Sequence, residues 1–385
     1  MKKAYKTQIE LTSHQAEKVN QTIGVCRYVY NLFLKRNQEL YEKEKKFIGG
    51  LDFSKWLNNI YTKENDPWIK KVSSKAVKQA IMNGDKAFRN FFEGKAKYPR
   101  FKKKRNQDVK AYFPKNNKTD WIVERHRVKI PTLGWIKLKE FGYIPTNAQV
   151  RSGTVSQKAG RYYVSVLCEV PPKEKTINNH DGLGIDVGIK NFAVCSNTDV
   201  YENINHLPKI RELEKKLKRQ QRKLSRKYES KKKGGESCYK NIQKQVKIIQ
   251  KLHARLTHIR KEYVRDVVTR VAKAKPKPSF ITIEDLNIKG MLKNKHLADC
   301  VRKQNFYYFR TYLEQKCKQN GIELRIVSRF YPSSKLCSCC GHKKVCLSLS
   351  ERFFICDLCG IEIERDFNAS LNLKYARNYT IITYR

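Results

Sequence analysis

The sequence predicts a multi-domain α/β protein: a helical lobe and a small β domain, then an α/β core carrying a helical insertion and a cysteine ribbon. Three observations point there. Apolar runs of strand length carry one carboxylate each at Leu183–Val187 and Phe280–Glu284, long stretches repeat at helical spacing before and between them, and two Cys-x-x-Cys-Gly knuckles follow.

The bulk numbers restrict the partners. Of 385 residues, 82 are Lys or Arg and 36 are Asp or Glu, a formal charge of +46. Self-repulsion on that scale calls for a polyanion, and a nucleic acid is the obvious one. A membrane surface is disfavoured, because no apolar run reaches the roughly 18 residues of a span and no amphipathic anchor is evident. The start, Met1-Lys2-Lys3-Ala4, lacks the apolar stretch of a secretory signal, so the expected location is the cytoplasm. Six of the 12 cysteines crowd between Cys337 and Cys359, a pattern of metal binding rather than disulfides.

Taken in order, residues 4–10 alternate as a short strand, and Ser13 is placed to cap a helix running towards Tyr41, with Val25, Tyr28, Val29 and Phe33 on one face. A second helix is expected from about Ser73 to Phe92. In the run from Lys97 to Arg105, Pro99 blocks a helix and cations alternate with rings: Tyr98, Arg100, Phe101, Lys102, Lys103, Lys104 and Arg105. Such a segment pairs with phosphates and stacks on bases, unless it is simply a solvated basic loop. Short β-type runs from about Tyr112 to Val170 predict a small antiparallel barrel or sheet. Between residues 210 and 270 two apolar stripes predict a helical hairpin turning at Lys231–Gly235, its outer Lys and Arg free to track phosphates.

Three carboxylates stand out. Asp186 interrupts an apolar strand flanked by glycines, Glu284 ends another with Asp285 as the alternative, and Asp366 sits at or near a helix start. Singly they read as a strand-edge charge, a turn acid and a cap. Brought together they would repel one another unless hard divalent cations lay between them, which predicts magnesium, as a pair of ions, and in-line hydrolysis of a phosphodiester. Cys337, Cys340, Cys356 and Cys359 form the two knuckles, predicting one structural zinc, with Cys339, Cys346 and His342 as spare donors and a redox pair as the minor alternative. Val345, Leu347, Leu349, Phe353 and Ile355 are the candidate ribbon strands.

Several of these segments together resemble one family. They are Gly184-Ile185-Asp186-Val187-Gly188, Ile283-Glu284-Asp285-Leu286, Ser333-Ser334-Lys335 before the ribbon, and Arg365-Asp366-Phe367-Asn368-Ala369. In the N-terminal half Tyr98-Pro99-Arg100-Phe101-Lys102 adds to the likeness, which covers most of the chain. The family is TnpB, the transposon-associated relative of the type V CRISPR effectors. The resemblance implies an RNase H-like RuvC core and an RNA-guided DNA endonuclease that supports transposon maintenance. Its partners would be a guide RNA copied from the transposon end, one protein per guide, and double-stranded target DNA beside a short motif, on the nucleoid when bound. It further implies a first wedge strand at 1–12, a helical recognition domain at 13–111 and a β wedge domain at 112–172. A linker at 173–182 would lead to a RuvC core at 183–330 with its hairpin at 205–275, the ribbon at 331–362 and a last RuvC segment at 363–385. Lys75, Lys78 and Gln79 are implied readers of the adjacent motif. A guided repressor without cleavage, a compact type V CRISPR effector and a strand-transferring transposase are the competing functions.

Overall fold

In a computed structural model of the protein, residues 2–103, 109–115, 117, 120–146, 148–171, 181–234, 239–348 and 350–382 are described. The chain divides into two compact units, Met1–Pro172 and Lys173–Arg385.

The first unit begins with strand β1 (Lys2–Glu10) and helix α1 (Ser13–Glu44), followed by α2 (Gly50–Trp56), α3 (Thr62–Glu64) and α4 (Ser74–Phe92). The β region comprises β2 (Val109–Pro114), β3 (Ile122–Val123), β4 (Arg127–Ile130), β5 (Gly134–Leu138), β6 (Gln149–Lys158) and β7 (Arg161–Glu169). These strands make one antiparallel sheet in the order β2-β6-β7-β1-β5-β4-β3. The chain's first strand therefore lies inside the sheet, and its alternation buries Tyr5, Thr7 and Ile9.

Helix α1 is capped one residue earlier than expected from Ser13. Thr12 is the N-cap, accepting from Gln15 N at 3.2 Å while Gln15 Oε1 accepts from Thr12 N at 3.1 Å, a capping box built on Gln. α1 and α4 pack through Val29, Phe33, Val77, Ile81 and Phe88. Between them, residues 50–71 hold two short α-helices, a π-turn at Leu57–Tyr61 and a 3-10 turn at Pro67–Lys71, where sequence periodicity indicated nothing. No single period survives such mixed turns, and what orders the stretch is burial of Phe53, Leu57 and Ile69 against Phe33 and its neighbours.

The second unit is built on β8 (Leu183–Val187), β9 (Asn191–Cys195) and β10 (Val200–Glu202). The hairpin α5 (Pro208–Lys232) and α6 (Tyr239–Val271) precedes β11 (Phe280–Glu284), α7 (Ile288–Met291), α8 (Ala298–Gln304), α9 (Phe306–Asn320) and β12 (Glu323–Val327). The ribbon strands β13 (Phe353–Ile355) and β14 (Glu362–Glu364), helix α10 (Arg365–Lys374) and β15 (Tyr379–Ile381) complete it. The six-stranded sheet runs β10-β9-β8-β11-β12-β15, with β8, β11 and β12 parallel and the others antiparallel to their neighbours. An antiparallel meander continued by two parallel strands is the RNase H-like arrangement.

Alternation along β8 and β11 sends Ile185, Ile281 and Ile283 to one face. There Val264, Val267, Val268 and Val271 of α6 and Phe309, Leu313 and Cys317 of α9 bury them. The intervening residues, Gly184, Asp186, Thr282 and Glu284, look to the opposite face, where α10 lies. The hairpin is pinned at its base by Ile210 and Leu213 against Leu252 and Leu256, and by Glu214 pairing with Arg260 and Lys303.

The ribbon has fewer strands than its apolar residues suggested. Phe353 and Ile355 belong to β13, which pairs with β14, whereas Val345 is 84% exposed outside any strand and Leu349 lies outside the described residues. Among the described residues between the knuckles only Phe354 is fully buried, so a core this small organises one hairpin and leaves the rest to the cysteines.

Candidate active site

Asp186 and Glu284 are brought side by side by strand register. The parallel pairing of β8 and β11 matches Leu183 with Ile281, Gly184 with Thr282 and Ile185 with Ile283, and the next residues of the two strands are Asp186 and Glu284. Asp366 arrives from α10, which can approach because residue 184 is glycine: a Cβ there would lie 2.0 Å from Ser370 O and 2.5 Å from Lys374 N. Ser370 is one helical turn beyond Asp366, so contact at Gly184 sets the first turn of α10 beside the acidic end of β8. Asp366 is the second residue of that helix, and the N-cap position itself belongs to Glu364.

The electrostatics register the crowding. Burial, then Asp366, then Glu284 push the Asp186 carboxyl up to about 7. Asp186 is half-buried at the end of β8, and burial is the largest cause of the shift. Glu284 is also raised, by burial and then by Asp285. Arg365 is the nearest opposing charge, bridging Asp366 at 3.2 Å, while its Nη1 donates to Glu351 O at 3.0 Å. A cluster of oxygen donors that resists ionisation suits a hard divalent cation.

Asp285, the alternative to Glu284, faces elsewhere. Its carboxylate accepts from the guanidinium groups of Arg310 and Arg329, and Arg329 foremost holds it below the usual carboxylate range.

In the ribbon, the ligand atoms of Cys337, Cys340, Cys356 and Cys359 all lie within 4.8 Å of one another, the only such group among the described residues. Sulfur pairs at 3.6 Å (Cys337 and Cys359) and 3.5 Å (Cys340 and Cys356) approach the edge of about 3.8 Å of a tetrahedron with ~2.3 Å zinc–sulfur bonds, far from a disulfide. The spare donors stay outside: Cys339 and Cys346 are exposed, and His342 contributes its carbonyl to Cys337 N at 2.8 Å. Gly341 and Gly360 turn the knuckles at φ of +77° and +70°. The backbone N–H of Cys359, ahead of that of Leu358, draws the Cys356 thiol below its ordinary range, while hydrogen bonding within the cluster holds the neighbouring Cys340 above it.

Ribbon and acidic centre share α10. Asn368 Nδ2 donates to Leu336 O at 2.7 Å and its Oδ1 accepts from Ser338 N at 3.0 Å; Asn372 Nδ2 donates to Ser333 O at 2.8 Å and to Leu336 O at 2.7 Å. Both asparagines are buried, and sequence reasoning assigned them nothing. The signal was two amides at i and i+4 on a helix face otherwise made of small and apolar residues.

The basic segment of the first unit is only partly assembled. Arg100, Phe101, Lys102 and Lys103 line a cavity of about 740 Å³ together with Gln79, Arg27 and Lys110. Lys102 is fixed there by Asn31, whose Oδ1 accepts from Lys102 N at 2.8 Å, and its ammonium sits 3.6 Å from the Tyr30 ring centre. Tyr98 instead packs edge-on against Phe88 and Phe91, and so supports α4. Lys75 lines a separate cavity of about 660 Å³ and pairs with Asp120 at 3.1 Å, while Lys78 is exposed. Lys104 and Arg105 lie outside the described residues.

Comparison with known proteins agrees with this architecture. Residues 165–295 match a family described as "Probable transposase", the OrfB proteins of IS605. Residues 306–373 match the Cas12f1-like TNB domain, and residues 1–46 match a helix-turn-helix domain, a stretch that here folds as β1 and the single helix α1. InsQ of Escherichia coli K12, assigned by inference as an RNA-guided DNA endonuclease, is 30% identical over 96% of this chain and 91% of its own. A Streptomyces pristinaespiralis protein of the same description is 31% identical over 97% and 89%. The solved Cas12f1 structure, a complex with sgRNA and target DNA, superposes over 99% of both chains with a TM-score of 0.61 at 16% identity. On this sequence likeness, the chain belongs to the TnpB family of transposon-encoded RNA-guided DNA endonucleases.

Proposed function

We propose that this RNA-guided DNA endonuclease cuts its target at a centre formed by Asp186, Glu284 and Asp366, supported by the strand register that sets Asp186 beside Glu284 and by the close packing of α10, which carries Asp366, on Gly184. Magnesium, as a pair of ions, is the group we assign to them. When bound, it would supply an activated water and stabilise the leaving oxygen of the phosphodiester. Asp186 is central because the other two flank it, and Arg365 restrains Asp366 from the ribbon side. The cysteine quartet would hold one zinc with no open position, a structural role.

We assign the guide RNA to the transposon's own end, with one chain per guide, acting in the cytoplasm on nucleoid DNA. The helices of 13–111 would act as recognition lobe, and 1–12 with 112–172 as wedge. The linker at 173–182, nuclease core at 183–330, ribbon at 331–362 and last core segment at 363–385 belong to the same proposal. Gln79 with Arg100, Phe101, Lys102 and Lys103 would contact nucleic acid in their shared cavity, Lys75 and Lys78 beside it, and Tyr98 by supporting them; Lys104 and Arg105 extend the same basic run.

The test is to purify the protein co-expressed with its flanking DNA, sequence any bound RNA, and present the complex with magnesium to a plasmid library holding a matched target. Cutting that needs the match and is abolished by Asp186→Ala, Glu284→Ala or Asp366→Ala, with target binding retained, supports the assignment. Undiminished cutting by any one variant removes that residue from the centre, and specific binding without cutting supports a guided repressor instead.

A further inference from the structure

The turn Gly188–Lys190 joins β8 to β9 and begins two residues beyond Asp186. Up to that turn the strand is held by its ladder, Asp186 opposite Val194 and Val187 opposite Ala193, and Gly188 N donates to Phe192 O at 3.3 Å. Beyond it, two buried amides take over. Gln304, the last residue of α8 and 3% exposed, donates from Nε2 to Gly188 O at 3.3 Å and to Ile189 O at 3.2 Å. Asn203, 7% exposed, donates from Nδ2 to Ile189 O at 2.7 Å.

These amides are themselves held by the base of the hairpin. Asn203 Oδ1 accepts from Asn205 N at 3.0 Å and from Asn205 Nδ2 at 2.9 Å, and Asn205 Oδ1 accepts from Arg260 Nε of α6 at 2.8 Å. Arg260 pairs with Glu214 of α5, which pairs at 3.0 Å with Lys303, the neighbour of Gln304. The polar chain thus leaves the turn through Asn203 and returns to it through Gln304.

Two plainer roles do not account for it. The hairpin base is already closed by Ile210 and Leu213 on Leu252 and Leu256, so apolar packing suffices there. Asn203 caps the 3-10 turn Ile204–His206, but the cap uses Oδ1 alone and leaves the Nδ2 donor to Ile189 unexplained. Buried amides are costly unless paired, and when paired they impose one geometry. The group nearby that needs a single geometry is Asp186, which repulsion from Glu284 and Asp366 would drive aside on a slack strand end.

We propose that Asn203 and Gln304 are positioning residues for cutting. By holding the carbonyls of Gly188 and Ile189 they fix the end of β8, and with it the Asp186 carboxylate, in place for a divalent cation, and Arg260, Glu214 and Lys303 hold them in turn. The proposal deepens the nuclease assignment above and rests on it.

Two variants release the turn and little else. Gln304→Met keeps the side-chain length without the N–H donors, and Asn203→Ser keeps a capping oxygen but does not reach Ile189. In the metal-free protein, amide hydrogen exchange followed by mass spectrometry should be faster than wild type over residues 183–195 in both. In the guide-loaded complex each should need about tenfold more magnesium for half-maximal cutting, with target binding unchanged. A loss of stability alone would lower the melting temperature without moving the magnesium requirement. Glu214→Gln, far from the turn in sequence and only partly buried, should shift exchange and magnesium requirement in the same direction by less, and it carries the test should a buried variant not fold. Wild-type exchange over residues 183–195, or a wild-type magnesium requirement, in the folded variants while Asp186→Ala abolishes cutting overturns this proposal alone. Cutting that survives Asp186→Ala overturns the nuclease centre and this proposal together.

Discussion

An ionised Asp186 must share a half-buried site with Glu284 and Asp366, and the consequence is a measurable pH dependence. The folded chain holds the Asp186 proton more tightly than the unfolded chain does. The stabilisation this provides is complete below the ordinary carboxylate range and is lost as pH rises towards about 7. In magnesium-free buffer the melting temperature should therefore fall across that window, and added magnesium should recover more at its upper end than at its lower. Asp186→Asn should flatten both trends in thermal melts; an equally steep fall in that variant would assign the titration to another group. The choice between Glu284 and Asp285 also belongs to this scale. The sequence favoured Glu284 as the acid that ends the strand; the alternation of β11 turns it to the α10 face, while Arg310 and Arg329, remote in sequence, engage Asp285.

Helix α10 is the element on which the candidate site depends. It presents Asp366 to the sheet, rests on Gly184, and grips the ribbon through Asn368 and Asn372. Gly184→Ala places a methyl 2.0 Å from Ser370 O, so the helix must retreat. The expected cost is about 1–3 kcal/mol of stability, seen in denaturant melts, with a larger fractional loss of cutting than of target binding. Asn368→Ala strips two hydrogen bonds from a buried contact and should cost about 1–3 kcal/mol, again with cutting reduced. Cys356→Ser should lower zinc content and melting temperature together, read by metal analysis and calorimetry; full zinc retention would place the ligand elsewhere. The strands β8 and β11, the hairpin and the knuckles were legible because each is written in contiguous residues: an apolar run, a helical period, a Cys-x-x-Cys-Gly. The asparagine tethers and the mixed turns of 50–71 were not, since they answer to Leu336, Ser338 and Phe33, residues that no local pattern connects to them.

At the scale of the whole chain, the charge of +46 makes binding an ion-exchange reaction. The logarithm of guide-RNA affinity should fall linearly with the logarithm of salt concentration. Replacing the exposed Lys218, Arg222 and Arg226 of α5 with Gln should reduce that slope by about 0.7–0.9 for each phosphate the hairpin no longer neutralises, measured by filter binding across a salt series. An unchanged slope would show the hairpin's cations to be merely solvated. Among the described residues no helix is long and apolar enough to cross a membrane.

The position of α10 behind the ribbon orders events during synthesis. The basic first unit, the hairpin and two of the three carboxylates leave the ribosome before the four cysteines, and the cysteines leave before Asp366. A nascent chain thus carries its affinity for nucleic acid early, while the third carboxylate arrives only with the helix that also clasps the ribbon. If Asp366 completes the proposed centre, cutting competence is acquired after the capacity to bind, and a chain stalled short of residue 366 would occupy nucleic acid without the means to break it.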